Sequence, residues 1–301
     1  PDVDGSPQLS TPETLNIIGQ ADGLGVMEIQ LTGGEFFILR DSLRILQDVQ
    51  DRHIPCSVFT NGTLIRAPLL DYLKEHHHGL IFYISLDGPA EVHDAFRGSP
   101  GAFRRTCSAV KHLLQAGCDV RLNTCVGSHN YAAMPQFMDF VSTEFGVLHR
   151  LVQVEPLGRA KDDLSLAISN QDFALLVGTR SGKVEFLDSH DEVSAHDLSV
   201  PPCGVGQSLA FVDAYGNVSL CPTMTQHEHP SFIAGSTRRN SLRDIWTSGP
   251  AFQAYRGIQC QQVTTCSARD QCKGGCRSHA FLATGDASAP DPGMCSVFHI
   301  G

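Results

Sequence analysis

The sequence predicts an α/β protein in two parts, a partial barrel of parallel strands and helices followed by a small cysteine-rich region. Up to about residue 160, short apolar runs alternate with amphipathic stretches, as expected of parallel β/α units. Seven of the eleven cysteines lie after residue 200. With 301 residues, of which 42% are hydrophobic, the chain can bury one large core or divide into a larger and a smaller domain.

Five strands are predicted in the first part, at residues 25–31, 57–60, 80–85, 120–124 and 151–154. Helices are predicted near residues 41–52, 67–76, 102–116 and 133–145, and a first helix opens with a capping box formed by Ser10 and Glu13. Strands joined by helices in regular order fit an open or partial barrel. Its chemistry is then expected at the carboxyl ends of the strands.

The sequence begins on a helix, so the predicted sheet starts with a strand whose outer edge has no partner. A parallel sheet is normally covered on both faces and does not favour a bare edge. We therefore expect a further strand upstream of Pro1, which would complete a partial (β/α)6 TIM-like barrel.

The domain organisation follows from changes in composition. Residues 1–160 form the predicted barrel, and residues 161–200 are more polar without a clear strand pattern, so they are interpreted as a bridge. After Pro201 and Pro202, residues 201–301 form the second predicted domain. It opens with a hairpin at 208–212 and 218–220, whose turn lies at 214–217.

Charge and hydropathy exclude several classes of protein. A net charge of -10 and a pI near 5.7 disfavour nucleic-acid binding, which needs a basic face. No apolar run reaches about 18 residues, so no membrane span is expected. No signal segment opens the chain, so we expect a soluble, cytoplasmic protein in which disulfides are disfavoured.

Cysteine spacing is the strongest chemical signal in the sequence. Two cysteines flank the predicted hairpin and the others cluster near the end of the chain, at positions Cys203, Cys221, Cys260, Cys266, Cys272, Cys276 and Cys295. Closely spaced thiolates bind soft metals, and Gly274 and Gly275 allow the backbone to pass near a bulky cluster. From the spacing alone, iron–sulfur clusters, zinc sites and disulfides all remain open.

The spacing Cys203-x12-Gly216-x4-Cys221, followed by Cys266-x5-Cys272-x3-Cys276, resembles the SPASM domain of radical S-adenosylmethionine (SAM) peptide-modifying enzymes. The resemblance implies two auxiliary 4Fe–4S clusters, the first held by Cys203, Cys221 and Cys276 and the second by Cys266, Cys272 and Cys295. Where the family has a further cysteine this chain has Val263. The fourth position of the second cluster is then either filled by Cys260, which we favour, or open to solvent or substrate.

The barrel half resembles the same family. Thr32-Gly33-Gly34-Glu35 follows the first predicted strand and is similar to the family's Gly-Gly-Glu motif, which contacts the amino group of SAM, although Phe36 replaces a common proline. Residues 60–63, 85–88 and 154–159 match later family segments. The resemblance implies a SAM pocket formed by Gly33, Gly34, Glu35, Asn61, Ser85, Asn123 and Leu157.

The motif that binds the catalytic cluster in this family, Cys-x3-Cys-x2-Cys, does not occur in residues 1–301. Cys56, Cys107, Cys118 and Cys125 have no such spacing and are interpreted as core or surface residues. We expect the motif upstream of Pro1, where the further strand is also required. The alternative is a pseudoenzyme without a catalytic cluster.

The resemblance predicts an enzyme that forms a 5'-deoxyadenosyl radical and crosslinks or oxidises a ribosomally made peptide at an unactivated carbon. Its expected partners are a precursor peptide and a reductant such as flavodoxin or ferredoxin. Two alternatives remain open. One is a radical SAM enzyme of modified-haem or other small-molecule synthesis, and the other is a zinc-binding, non-catalytic protein on a degenerate barrel.

Overall fold

Six parallel strands form the sheet of the first part of the chain, each paired with the next in sequence. The computed structural model describes residues 7–178, 184–186, 203–226 and 229–298. The strands are β1 (Ile29–Leu31), β2 (Cys56–Thr60), β3 (Leu80–Ser85), β4 (Asp119–Val126), β5 (Leu148–Gln153) and β6 (Val184–Phe186). The first five overlap the five predicted strands, which are confirmed.

Helices separate the strands and cover one face of the sheet. They are α1 (Thr11–Asp22), α2 (Ser42–Asp51), α3 (Ala67–His76), α4 (Ala90–Arg97), α5 (Ala102–Gln115), α6 (Met134–Glu144) and α7 (Asn170–Gly178). The capping box of Ser10 and Glu13 is present at the start of α1. This arrangement is the predicted α/β partial barrel. None of the described helices is long and apolar enough to cross a membrane.

The segment 161–200, interpreted as a bridge because it lacks a clear strand pattern, contributes to the sheet. Helix α7 and strand β6 lie in this segment, and β6 extends the sheet by pairing with β5. Only three residues of β6 are paired, too few to give the alternating pattern by which a strand is recognised in a sequence. Residues 187–202 lie outside the described part of the chain, and the domain boundaries stay a prediction.

The main core lies between the sheet and its helices. Alternate residues of the central strands contribute to it, for example Val58, Phe82, Leu122 and Leu151, all of which are fully buried. Cys56 and Cys118 lie in this core and Cys107 packs against it, so these cysteines have the structural surroundings that were predicted for them. Since side chains alternate across a strand, the residues between these core positions face the other side of the sheet.

The second part of the chain forms a small module around its own core. Its antiparallel sheet has three strands, β7 (Phe211–Val212), β8 (Asn217–Ser219) and β9 (Ile233–Ser236). The predicted hairpin is confirmed as β7 and β8, whereas β9 was not predicted. The helices are α8 (Pro222–Gln226), α9 (Leu242–Ser248), α10 (Pro250–Tyr255), α11 (Arg269–Cys272), α12 (Arg277–Thr284) and α13 (Pro292–Val297).

Candidate cofactor site and thiol module

The residues predicted to bind SAM lie along one rim of the barrel sheet. Each of five consecutive strands contributes a segment at or near its carboxyl end, where the chemistry of a β/α barrel is located. Ser85 ends β3, and its register partner on β4 is Asn123. The structure therefore brings these segments to one edge of the sheet.

The loop after β1 is shaped by two glycines and a carboxylate. Gly33 has φ +139°, a conformation that favours glycine, and a Cβ added at Gly33 or Gly34 would have no atom within 4 Å. The Glu35 carboxylate accepts hydrogen bonds from Thr60 Oγ1 (2.7 Å), Asn61 N (2.7 Å) and Phe37 N (3.1 Å). Glu35 thus joins the loop to the end of β2, a structural role that the sequence did not indicate.

The Glu35 carboxylate has capacity for one further donor. A carboxylate offers about four acceptor sites, and three donors are in place. Open space beside the two glycines and an acceptor with remaining capacity suit an ammonium group at this loop.

The two predicted asparagines differ in their surroundings. Asn61 Oδ1 accepts hydrogen bonds from the backbone N and the hydroxyl of Thr63, at 2.8 and 2.6 Å. Asn123 Oδ1 is buried and has no hydrogen-bond partner. An unsatisfied buried acceptor is costly, so Asn123 suits a ligand that donates a hydrogen bond, such as a ribose hydroxyl. The residues present at the rim therefore fit SAM.

Leu157 lies in the loop after β5. It is extended, and its carbonyl accepts a hydrogen bond from Ala160 N at 3.0 Å where a short 3-10 turn begins. Its position completes the predicted set along the rim, and its role toward SAM stays a prediction.

Asp87 lies directly behind the rim and is completely buried. Its Oδ2 is 2.7 Å from Arg97 Nε, and its Oδ1 accepts a hydrogen bond from Cys125 N at 3.1 Å. Burial on its own raises the pKa of Asp87, but the contact with His93 and the charge of Arg97 outweigh it, so the pKa lies below its ordinary value. The ionised Asp87 carboxylate therefore links the end of β3 to α4 and β4.

We expect Asp87→Asn to lower the free energy of unfolding of the barrel by about 2 kcal/mol at pH 7, because Arg97 loses its partner. A carboxyl whose pKa is lowered by folding stabilises the protein above its unfolded pKa, ordinarily 3.8, and this stabilisation is lost as pH falls further. The difference in the free energy of unfolding between wild type and variant should therefore shrink below about pH 4. Urea unfolding followed by circular dichroism measures this free energy at each pH.

Asp71→Asn is the matched control for this measurement. Asp71 is 68% exposed and pairs with Lys74 on the surface. We expect this substitution to change stability by less than about 0.5 kcal/mol. If the loss of unfolding free energy in Asp87→Asn does not depend on pH, the carboxylate charge is not what stabilises the barrel.

The first group of predicted thiol ligands lies around the hairpin of the module. Cys203 precedes β7, Cys221 follows β8, and Cys276 is the N-cap residue of α12. Burial raises the pKa of the Cys221 thiol to about 11, and the neighbouring Cys203 adds to this rise. Met224 N donates a hydrogen bond to Cys221 Sγ at 3.2 Å.

The second group consists of Cys260, Cys266, Cys272 and Cys295. Burial raises the pKa of Cys272 to about 11, and Cys295 and Cys266 contribute to the rise. The pKa of Cys295 is also raised, mainly by burial, with contributions from Cys260 and Cys266. Cys266 thus interacts electrostatically with Cys272 and Cys295, and Cys260 with Cys295.

The position of Cys260 is defined by the Gly274 backbone. A Cβ added at Gly274 would lie 3.4 Å from Cys260 Cβ, so the segment after α11 passes against this cysteine. Cys260 is 8% exposed, unlike a surface thiol. Cys260 therefore lies beside the segment between Cys272 and Cys276, and its role as the fourth ligand of the second cluster in place of Val263 stays a prediction.

Within the described ranges, no group of three His, Cys, Asp or Glu side chains is arranged to hold one metal ion. A zinc ion needs each sulfur about 2.3 Å away, whereas an iron–sulfur cluster is larger and separates its thiolates further. Ligation requires thiolates, so cluster binding would release the protons that burial favours.

A chain of polar contacts links the thiol module to the barrel rim. Asp291 Oδ2 accepts a hydrogen bond from Cys276 N at 2.6 Å and lies 3.7 Å from His279 Nδ1. His279 Nε2 is in turn 3.4 Å from Glu155 Oε1, in the loop after β5. Burial on its own raises the pKa of Asp291, but the close contact with His279 and its charge, with the backbone N–H donors of Cys276 and Met294, outweigh burial and leave that pKa below its ordinary value.

Residues 2–141 of the sequence match the Radical SAM superfamily, and residues 203–277 match the SPASM iron–sulfur cluster-binding domain. The chain belongs to the radical SAM superfamily. The SPASM match contains all the predicted thiol ligands except Cys295, which follows it. Membership makes the protein an enzyme and gives it SAM and 4Fe–4S clusters as cofactors.

Similar proteins cover nearly the whole chain. An AdoMet-dependent heme synthase of Methanosarcina barkeri is 24% identical, over 95% of this chain and 87% of its own length. A PqqA peptide cyclase of Granulibacter bethesdensis is 26% identical, over 95% of this chain and 78% of its own. Streptococcus suis SuiB bound to S-adenosylmethionine has a TM-score of 0.73 at 15% identity, over 96% of this chain and 70% of its own. SuiB has also been solved with its precursor peptide SuiA.

Sequence reasoning missed the polar groups that hold the site in place. Motif spacing did not indicate a role for Asp87 or Asp291, although each lies beside residues that end a helix or strand. A charged residue three positions after the apolar run 80–84, or between Pro290 and Pro292, was a usable signal. His279 and Glu155 are far apart in sequence and carried no signal.

Proposed function

We propose that the protein uses SAM to form a 5'-deoxyadenosyl radical and modifies a ribosomally made peptide by crosslinking or oxidation at an unactivated carbon. The observation that carries this proposal is the position of the predicted SAM segments at the carboxyl ends of consecutive strands, on a rim joined through Glu155 and His279 to the thiol module. Similarity to a PqqA peptide cyclase and to SuiB supports a peptide substrate.

The bound cofactors supply one-electron reduction of SAM and the resulting hydrogen-abstracting radical. The residues of this chain bind and orient SAM. Glu35 offers its remaining acceptor capacity to the ammonium group of SAM, while Asn123 Oδ1 accepts from the ribose. Gly33 and Gly34 leave space for the cofactor next to the backbone.

The thiol module would hold two auxiliary clusters, the first with Cys203, Cys221 and Cys276 and the second with Cys260, Cys266, Cys272 and Cys295. Asp291 holds Cys276 N and also accepts from Gly293 N and Met294 N at the start of α13, the helix that carries Cys295. One buried carboxylate therefore positions a ligand of each proposed cluster. Its link to His279 fixes both ligands relative to the barrel rim.

We expect Glu35→Ala to weaken SAM binding about tenfold or more while leaving auxiliary iron unchanged, because an ammonium loses a charged acceptor. Equilibrium dialysis with labelled SAM measures the affinity, and iron analysis of the same sample reports the clusters. Glu75→Ala removes an exposed carboxylate on α3 and is the control. Unaltered SAM affinity in Glu35→Ala would refute the role of this loop.

The activity is tested with the protein as its gene encodes it, purified without oxygen. Broad absorption near roughly 400 nm indicates iron–sulfur clusters. A colourless protein with stoichiometric zinc would contradict the proposal. With SAM, a reductant and a precursor peptide encoded beside the gene, we expect 5'-deoxyadenosine and a mass change in the peptide.

A tetrapyrrole substrate is the second candidate, favoured by the similarity to an AdoMet-dependent heme synthase. It predicts a mass change in an iron-tetrapyrrole carboxylate and none in the peptide. The two substrates are compared under identical conditions, so one experiment separates the candidates.

We further propose flavodoxin or ferredoxin as reductant and the cytoplasm as location, since the cofactor chemistry requires a low-potential electron donor.

A further inference from the structure

The face of the barrel sheet opposite the helices is polar and aromatic. Phe59, Tyr83 and Arg121 alternate with the core residues of β2, β3 and β4, so they lie on this inner face. The registers Phe59 with Tyr83 and Tyr83 with Arg121 place them side by side across three strands. Because this row faces the inside of the barrel and not the core beneath the helices, it can contact a bound ligand.

Tyr83 is the centre of this row. Its ring stacks on Phe59 with centroids 4.6 Å apart and planes within 6°. Arg121 donates a hydrogen bond to the Tyr83 hydroxyl at 3.0 Å. The guanidinium carbon of Arg150, reaching across from β5, lies 4.6 Å from the centre of the same ring. Stacking on a fixed aromatic ring orients the Arg150 guanidinium.

The two arginines at Tyr83 differ in how their charge is balanced. Arg121 lies 3.5 Å from the carboxylate of Asp119. Arg150 has no carboxylate partner among the side chains that the structure describes, and its Nε is buried without an acceptor. Two cations near one ring repel each other, and a buried N–H without an acceptor is unfavourable. An anion beside Arg150 would offset the repulsion between the two cations and accept a hydrogen bond from the buried Nε–H.

We propose that Arg150, oriented by Tyr83, binds a carboxylate of the substrate inside the barrel. A guanidinium fork matches the two oxygens of a carboxylate. Arg150 is the register partner of Asn123, which is in turn the partner of Ser85, so the subsite adjoins the proposed SAM pocket. The inference rests on the proposed function and narrows it to a substrate that presents a carboxylate near the reacting carbon.

Three sources can supply this carboxylate, a peptide side chain, a peptide C-terminus or SAM itself. The probes that separate them are N-acetylglutamate amide, with only a side-chain carboxylate, N-acetylglutamine, with only a terminal one, and N-acetylglutamine amide, with neither. The three have nearly the same shape. Binding to iron-loaded, SAM-saturated protein is followed by the NMR signal of the Arg150 Nε–H, which is assigned by its loss in Arg150→Lys.

We expect one or both carboxylate probes to shift the Arg150 signal and to bind at least tenfold more tightly than the diamide. This comparison uses the wild-type protein and does not depend on a variant that folds. Arg150→Gln should lose at least tenfold in probe affinity, whereas Arg44→Gln, which removes an exposed arginine on α2, should not. Glu185 is the backbone neighbour of Arg150 on β6, and Glu185→Gln should keep or raise probe affinity.

Equal binding of the diamide, or unchanged probe affinity in Arg150→Gln, would overturn the subsite. Loss of SAM affinity in Arg150→Gln with unchanged probe affinity would also overturn it, because the carboxylate would then be that of SAM. Iron and SAM binding are measured on the same samples. Carboxylate selectivity without iron or SAM would contradict the proposed function and leave the subsite standing.

Discussion

Cys266→Ala is expected to remove up to about four iron atoms per protein, one 4Fe–4S cluster. Cys266 lies close enough to Cys272 and Cys295 to raise the pKa of both thiols, so its loss leaves the cluster without one of a compact group of ligands. Iron analysis and the absorbance near roughly 400 nm of anaerobically purified protein measure the change.

Cys260→Ala separates the two forms of the second cluster. If Cys260 is the fourth ligand, its removal should lower iron content or make the cluster labile to a chelator. If the position is open, Cys260→Ala should behave as wild type. Cys107→Ala is the matched control, since Cys107 packs against the barrel core away from the module. Unchanged iron in Cys266→Ala would show that the ligand assignment is wrong.

The barrel could be predicted from the sequence because its elements are long and regular. Strands β3 and β4 have six and eight residues, and helix α5 has a strongly one-sided apolar face. Several other elements gave no such signal. Helix α4 has eight residues and one buried side chain, and β6 and β9 have three and four residues. Their pairing depends on neighbours that are distant in the sequence.

The candidate site could be predicted only where function depends on residues that are close in sequence. The glycine loop after β1 and the cysteine spacing meet this condition. Tyr83 and Arg150 do not, because their proximity follows from the register of three strands. The same holds for the contact of Glu155 with His279, which spans the two parts of the chain. Strand register and domain packing were needed to find them.

Asp291→Ala is expected to have the largest effect on the stability of the thiol module. Asp291 is 1% exposed and accepts hydrogen bonds from Cys276 N, Gly293 N and Met294 N. Alanine leaves these donors without a partner in a buried site, so the free energy of unfolding should fall by about 3 kcal/mol or more. Asp291→Asn should cost less, because its amide oxygen can still cap α13.

Trp246 is the single tryptophan of the chain and packs against the core of the module, so its fluorescence during urea unfolding reports on this part of the protein. Asp270→Ala, at a carboxylate that is 69% exposed, is the control and should change stability by less than about 0.5 kcal/mol. Because Asp291 positions one ligand of each proposed cluster, Asp291→Ala should also lose iron from both groups. Loss of stability with full retention of iron would mean that Asp291 supports the fold of the module without positioning its ligands.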